Sequence, residues 1–105
     1  MSQHRMPPER RKEVLLRVAA DLACSSGYTH VTRDAIAEAA GLTAGAVSYH
    51  FGTMAALRLD LLRWCIDNSV LPVVAQGIAL REPLALAAPQ SLQRKALRDA
   101  GRQVE

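Results

Sequence analysis

A chain of 105 residues holds one small domain, which excludes enzymes that need a large scaffold and leaves little room for a second folded unit. Half of the residues are apolar, aromatics make up only 4%, and Ala and Leu dominate, a folded and helix-leaning composition rather than a disordered one. Thirteen Lys and Arg against ten Asp and Glu leave a net charge of +3, and residues 1–33 hold the excess, with six basic and three acidic side chains.

Residues 8–26 read as an amphipathic helix. Val14, Leu15, Val18, Ala19, Leu22 and Ala23 share one stripe. Pro8 suits a first turn, Glu9 complements the positive end of the helix dipole, and Gly27 suits the stop. Arg10, Arg11, Lys12 and Arg17 fall mostly on the opposite, solvated face. Cys24, in this helix, and Cys65, further on, make neither a disulfide framework nor a zinc site, and both are expected to be buried and reduced. The N-terminal residues lack the apolar stretch of a secretory signal.

Thr32, Thr43 and Thr53 each precede a helix-favouring stretch and suit N-caps. They divide the middle of the chain into Arg33–Ala40, Ala44–His50 and a segment from Met54 onward. Gly41-Leu42-Thr43 leaves so tight a turn between the first two that a helix-turn-helix is predicted. The packing positions fit. Ala37 is small where the helices cross, Gly41 supplies the turn, and Val47 plugs the angle between them with Ile36, Ala40 and Leu42.

From Met54 a long apolar helix is expected through about Ser69, with a core stripe of Leu57, Leu61, Leu62, Cys65 and Ile66. Arg58, Asp60, Arg63 and Asp67 take solvated positions, and Pro72 breaks or kinks the helix. The uncharged run Asn68–Leu80 is too short for the ~20 residues of a membrane span. Its part from Val70 is apolar on nearly every side, which predicts packing against a second copy of the chain. Beyond Glu82 the sequence turns to Pro and Ala-Leu, and Gln90–Arg102 reads as a weak basic helix. The fold class is all-α: a three-helix unit with a helix-turn-helix, a long apolar helix, and a short C-terminal helical extension.

The stretch Val31-Thr32-Arg33-Asp34-Ala35-Ile36-Ala37-Glu38-Ala39-Ala40-Gly41-Leu42-Thr43-Ala44-Gly45-Ala46-Val47-Ser48-Tyr49-His50-Phe51-Gly52, with Gly27-Tyr28 before it, resembles the DNA-binding domain of TetR/AcrR-family transcriptional repressors. The resemblance covers roughly residues 10–63 and implies a homodimer on palindromic double-stranded DNA, with the helix at 44–50 in the major groove. It also shows two departures. Met54 stands where the family usually has a phosphate-contacting lysine, and Ser48 where a second tyrosine is common. The family's larger C-terminal ligand domain has only residues 64–105 as its counterpart, so no small-molecule effector is expected.

With the resemblance, the chain divides into a basic arm at 1–7 that includes Arg5, a DNA-binding domain at 8–63, and a dimerisation region and tail at 64–105. The expected DNA-binding residues are Thr32, Arg33, Thr43, Ala44, Gly45, Ala46, Ser48, Tyr49 and His50. Thr43 and the first free amides suit a phosphate. Ala44, Gly45 and Ala46 allow close approach, so thymine methyls and DNA shape carry part of the specificity. Tyr49 and His50 suit phosphate donors. Packing is the alternative for Tyr49, and settling the helix C-terminus is the alternative for His50. Tyr28 and Phe51 are assigned to the core. The expected dimer residues are Leu61, Trp64, Cys65, Leu71, Val74 and Ile78. His4, His30 and His50 share no metal-ligand spacing, and no nucleophile or paired-carboxylate arrangement emerges. A non-enzymatic, cytoplasmic regulator without cofactor or metal is therefore expected. The competing expectation is a protein-interaction module that heterodimerises with another regulator through residues 64–80.

Overall fold

The computed structural model describes residues 7–102. The basic arm expected at 1–7, with His4 and Arg5, lies outside the described residues apart from Pro7, as do residues 103–105. Among these residues seven α-helices follow one another: α1 Pro8–Ser26, α2 Arg33–Ala40, α3 Ala44–Phe51, α4 Met54–Asp67, α5 Leu71–Ala79, α6 Pro83–Leu86 and α7 Gln90–Arg102. A single 3-10 turn, Tyr28–His30, joins α1 to α2, and no strand occurs among the described residues.

α1 starts where Pro8 needs no amide partner and stops at Gly27, whose N–H donates to the Ala23 carbonyl at 2.8 Å. It buries Leu15, Leu16, Ala19, Ala20 and Ala23, while Val14 is exposed. The buried stripe is thus rotated from the expected one. Leu16 and Ala20 enter, and Val18 and Leu22 sit at its margin.

The three threonine caps form alike. Thr32, Thr43 and Thr53 hydroxyls accept the amides of Ala35, Ala46 and Ala56, each at 3.1 Å. Each bond satisfies one of the donors that a helix start leaves free, an effect of about 1 kcal/mol per cap. Ile36, Ala37, Val47 and Phe51 then bury against α1, and Tyr28 is buried beside them.

Three helix ends close in the same way. At α2, the Leu42 amide reaches back to the Ala37 carbonyl at 2.9 Å, and Gly41 takes the left-handed conformation at φ 73°. At α4, the Val70 amide reaches the Cys65 carbonyl at 2.8 Å, with Ser69 at φ 55°. At α5, the Glu82 amide reaches the Gly77 carbonyl at 2.9 Å, with Arg81 at φ 58°. Pro72, in the first turn of α5, starts the next helix rather than kinking α4.

The C-terminal helices close the molecule. α5 packs against α1, α4, α6 and α7 and buries Val73, Val74 and Gly77. This corrects the expectation that α5 needs a second copy to cover it, because α6 and α7 of the same chain do so. The core runs without a break from Leu15 to Val73, and α4 continues across residues 63 and 64. Gln76 fastens the two parts: its Nε2 donates to the Ala23 carbonyl at 3.0 Å, and its Oε1 accepts the Tyr28 amide at 2.8 Å.

Cys65 is fully buried, and burial, with a smaller contribution from Cys24, pushes its thiol up to about 12. Cys24 is exposed, contrary to expectation, because it lies one residue past the buried Ala23 on α1. No described helix is long and apolar enough to cross a membrane.

Candidate nucleic-acid interface

The angle between α2 and α3 is set by small groups and one side-chain bond. Ala37 and Val47 are 4% and 0% exposed at the crossing, and Arg33 Nη1 donates to Ser48 Oγ at 3.0 Å from the start of one helix to the middle of the other. Arg33 and Ser48 therefore engage each other across the motif.

A cleft of about 440 Å³ opens where the first turns of α2, α3 and α4 come together. Five of the expected residues line it: Thr32, Arg33, Ala44, Gly45 and Ser48. Asp34, Met54 and Arg58 complete the lining. Met54, at the position where the resemblance leads one to expect a lysine, thus lines this cleft, and so does Arg58, one helical turn further along α4.

Arg58 is half-buried rather than solvated, and its Nε has no hydrogen-bond partner among the described residues. Sequence reasoning missed it. Its one signal is that it lies four residues after Met54 and so shares that residue's face of the helix.

The remaining expected residues lie outside the cleft lining, on α3 and at its start. Thr43 is exposed and caps the helix, and Ala46 and His50 are half-buried. Tyr49 is 80% exposed, which removes the packing alternative for its ring; it meets His50 edge-on with centroids 5.2 Å apart. Gly45 is exposed, and a Cβ placed there would meet only Thr43 Oγ1, at 3.9 Å. The fold does not require glycine at this position.

Of the basic cluster on α1, Lys12 turns inward. Its Nζ lies 3.1 Å from Asp60 and 5.4 Å from the Phe51 ring centroid, tying α1 to α3 and α4. At such half-exposed positions the ion pair adds well under about 1 kcal/mol. Arg17 lies over the Trp64 ring at 5.8 Å.

The expected dimer residues separate into two groups. Leu61, Cys65 and Val74 have 0% exposure and are core of the single chain, because α1, α5 and α7 close over them. Trp64, Leu71 and Ile78 keep partial exposure.

Two short helices crossing through a left-handed glycine, with an open, small-residue face on the second, define a helix-turn-helix DNA-binding domain. Residues 15–61 match the family model described as bacterial regulatory proteins, tetR family. The match supports a TetR-family transcriptional regulator with an N-terminal domain that binds double-stranded DNA; family members are regulators rather than enzymes. No curated protein and no solved structure matched the chain.

Proposed function

We propose that the chain is a repressor that works as a dimer, two copies placing α3 in successive major grooves of a palindromic operator and blocking the promoter by occupancy. The observation that carries this reading is Gly45. A glycine inside a helix costs about 0.5–1 kcal/mol relative to alanine, and here no neighbour makes a Cβ impossible. Flanked by Ala44 and Ala46, it gives α3 a bare strip suited to close approach to base edges, with thymine methyls as apolar contacts. Thr43 and the free amides at the start of α3 meet a phosphate, and exposed Tyr49 with His50 donates to the backbone further along. Arg33, braced by Ser48, presents its remaining donors to the same duplex.

Dimerisation combines two half-sites whose individual electrostatic attraction is modest at a net charge of +3. Its contacts come from the partly exposed Trp64, Leu71 and Ile78, not from the buried members of the expected set. Selection of bound fragments from random duplex DNA at low salt tests the proposal. Enrichment of a palindromic motif is expected, and recovery of no motif overturns it.

A further inference from the structure

The most basic helix of the chain is α7, and the proposed function leaves it unused. Arg94, Lys95, Arg98 and Arg102 stand against a single acid, Asp99, a net +3 where no other described helix exceeds +1. At about 100° per residue, the four cations fall within an arc of about 100° on the side opposite the buried Ala96. All four are exposed, whereas Asp99 is half-buried on the flank. Arg102 leans on Asp99 at 3.8 Å, and among the described residues Arg94, Lys95 and Arg98 make no ion pair. Asp67 lines a cleft beside Lys95 without pairing to it.

The place of this stripe matters as much as its charge. The first turn of α4 faces the DNA-side cleft with α2 and α3. Its last turn, about 20 Å further along at 1.5 Å per residue, lies beside Pro89 and Lys95. α7 packs on α5, which Gln76 fastens to the far end of α1. A duplex held by α3 therefore leaves the cations of α7 free.

We propose that α7 is a second nucleic-acid surface, taking the phosphate backbone of a separate double-stranded DNA segment irrespective of sequence. Arg94 and Arg98 stand one turn apart, about 6 Å along the axis, close enough for neighbouring phosphates of one strand, with Lys95 beside them. An anionic membrane fits less well, because an interfacial helix must bury its apolar face in lipid. Ala96 and the half-buried Leu92 and Ala100 already face the body of the molecule, which leaves Leu97 as the one exposed large apolar side chain of α7. With α3 on one duplex and α7 on another, the protein bridges two DNA segments. That consequence rests on the proposed role of α3, whereas binding at α7 does not.

Duplex of random sequence, added at low salt to the ¹⁵N-labelled full chain already saturated with a selected operator duplex, tests the surface. New amide shifts are expected over Ser91–Arg102. Three phosphate contacts predict a loss of roughly fortyfold in affinity for the second duplex between about 50 and 200 mM salt. Arg94→Gln/Lys95→Gln/Arg98→Gln is expected to abolish the shifts and the capture of a labelled second duplex on immobilised operator. Operator affinity and the cooperative melt should stay unchanged, since all three positions are exposed. Arg94→Lys/Arg98→Lys, which keeps the charges, should retain both shifts and capture. Unmoved α7 amides, capture retained by the glutamine variant (the mark of α3 holding both duplexes), or engagement of phosphatidylserine vesicles without duplex overturns the proposal. Random duplex alone reads the same amides, so failure to select any operator, which overturns the role of α3, leaves this test intact.

Discussion

Gly45 is where folding and binding make opposite demands. Its nearest neighbour for an added Cβ is Thr43 Oγ1 at 3.9 Å, an ordinary contact, so Gly45→Ala is expected to stabilise the free protein by about 0.5–1 kcal/mol through helix propensity alone. The same methyl stands between α3 and the groove, and DNA affinity is expected to fall about tenfold or more, near 1.4 kcal/mol. Thermal melting and a gel-shift titration on the one variant check both halves; a stabilised protein with unchanged affinity would remove Gly45 from the interface. At this scale the sequence was legible wherever the chemistry is local. A threonine three residues before an amide it can accept is visible without a structure, and all three caps form. Arg58 and Gln76 were not legible. Arg58 carries a charge on an otherwise amphipathic pattern and so reads as solvated, and Gln76 bonds to residues 48 and 53 positions away.

The bounds of α1 and α2 follow from their flanking Pro, Thr and Gly residues and α7 starts directly after Pro89, whereas the ends of α4 and α5 did not declare themselves. Ser69 and Arg81 hold the left-handed turns there, at φ 55° and 58°, positions where the sequence signal is normally Gly or Asn. The packing of α5 depends on a close approach no pattern shows. A Cβ on Gly77 would lie 2.9 Å from Ala85 Cβ and 3.1 Å from a Leu62 methyl. Gly77→Ala is therefore expected to destabilise the protein by roughly 1–3 kcal/mol, overpacking outweighing the ~1 kcal/mol gain in helix propensity. Denaturant titration checks the sign; a stabilised variant would mean that α6 moves aside at little cost.

For the whole molecule, apolar composition alone overstates what is left for a partner. The run from Val70 to Leu80 looked uncovered because its cover, α7, is a weakly apolar basic helix whose only fully buried side chain is Ala96. Small residues pack closely without raising the hydrophobic signal, and this is why the single-chain core was underestimated. The proposed dimer interface has a direct consequence. Leu71→Asp with Ile78→Asp, both at partly exposed positions, is expected to give a monomer with an intact cooperative melt. Light scattering reads the mass, and an unchanged dimer would place the interface elsewhere. Val74→Asp, by contrast, buries a charge in the core and is expected to unfold the chain.

The central claim is that α3 is the element that meets DNA. Titrating the ¹⁵N-labelled chain with a palindromic duplex recovered by selection tests it most directly. The largest amide shifts are predicted over Thr43–His50 and at Arg33, around the bare strip at Gly45. A complex that forms while those amides stay unmoved, with its shifts confined to α5–α7, would contradict the account.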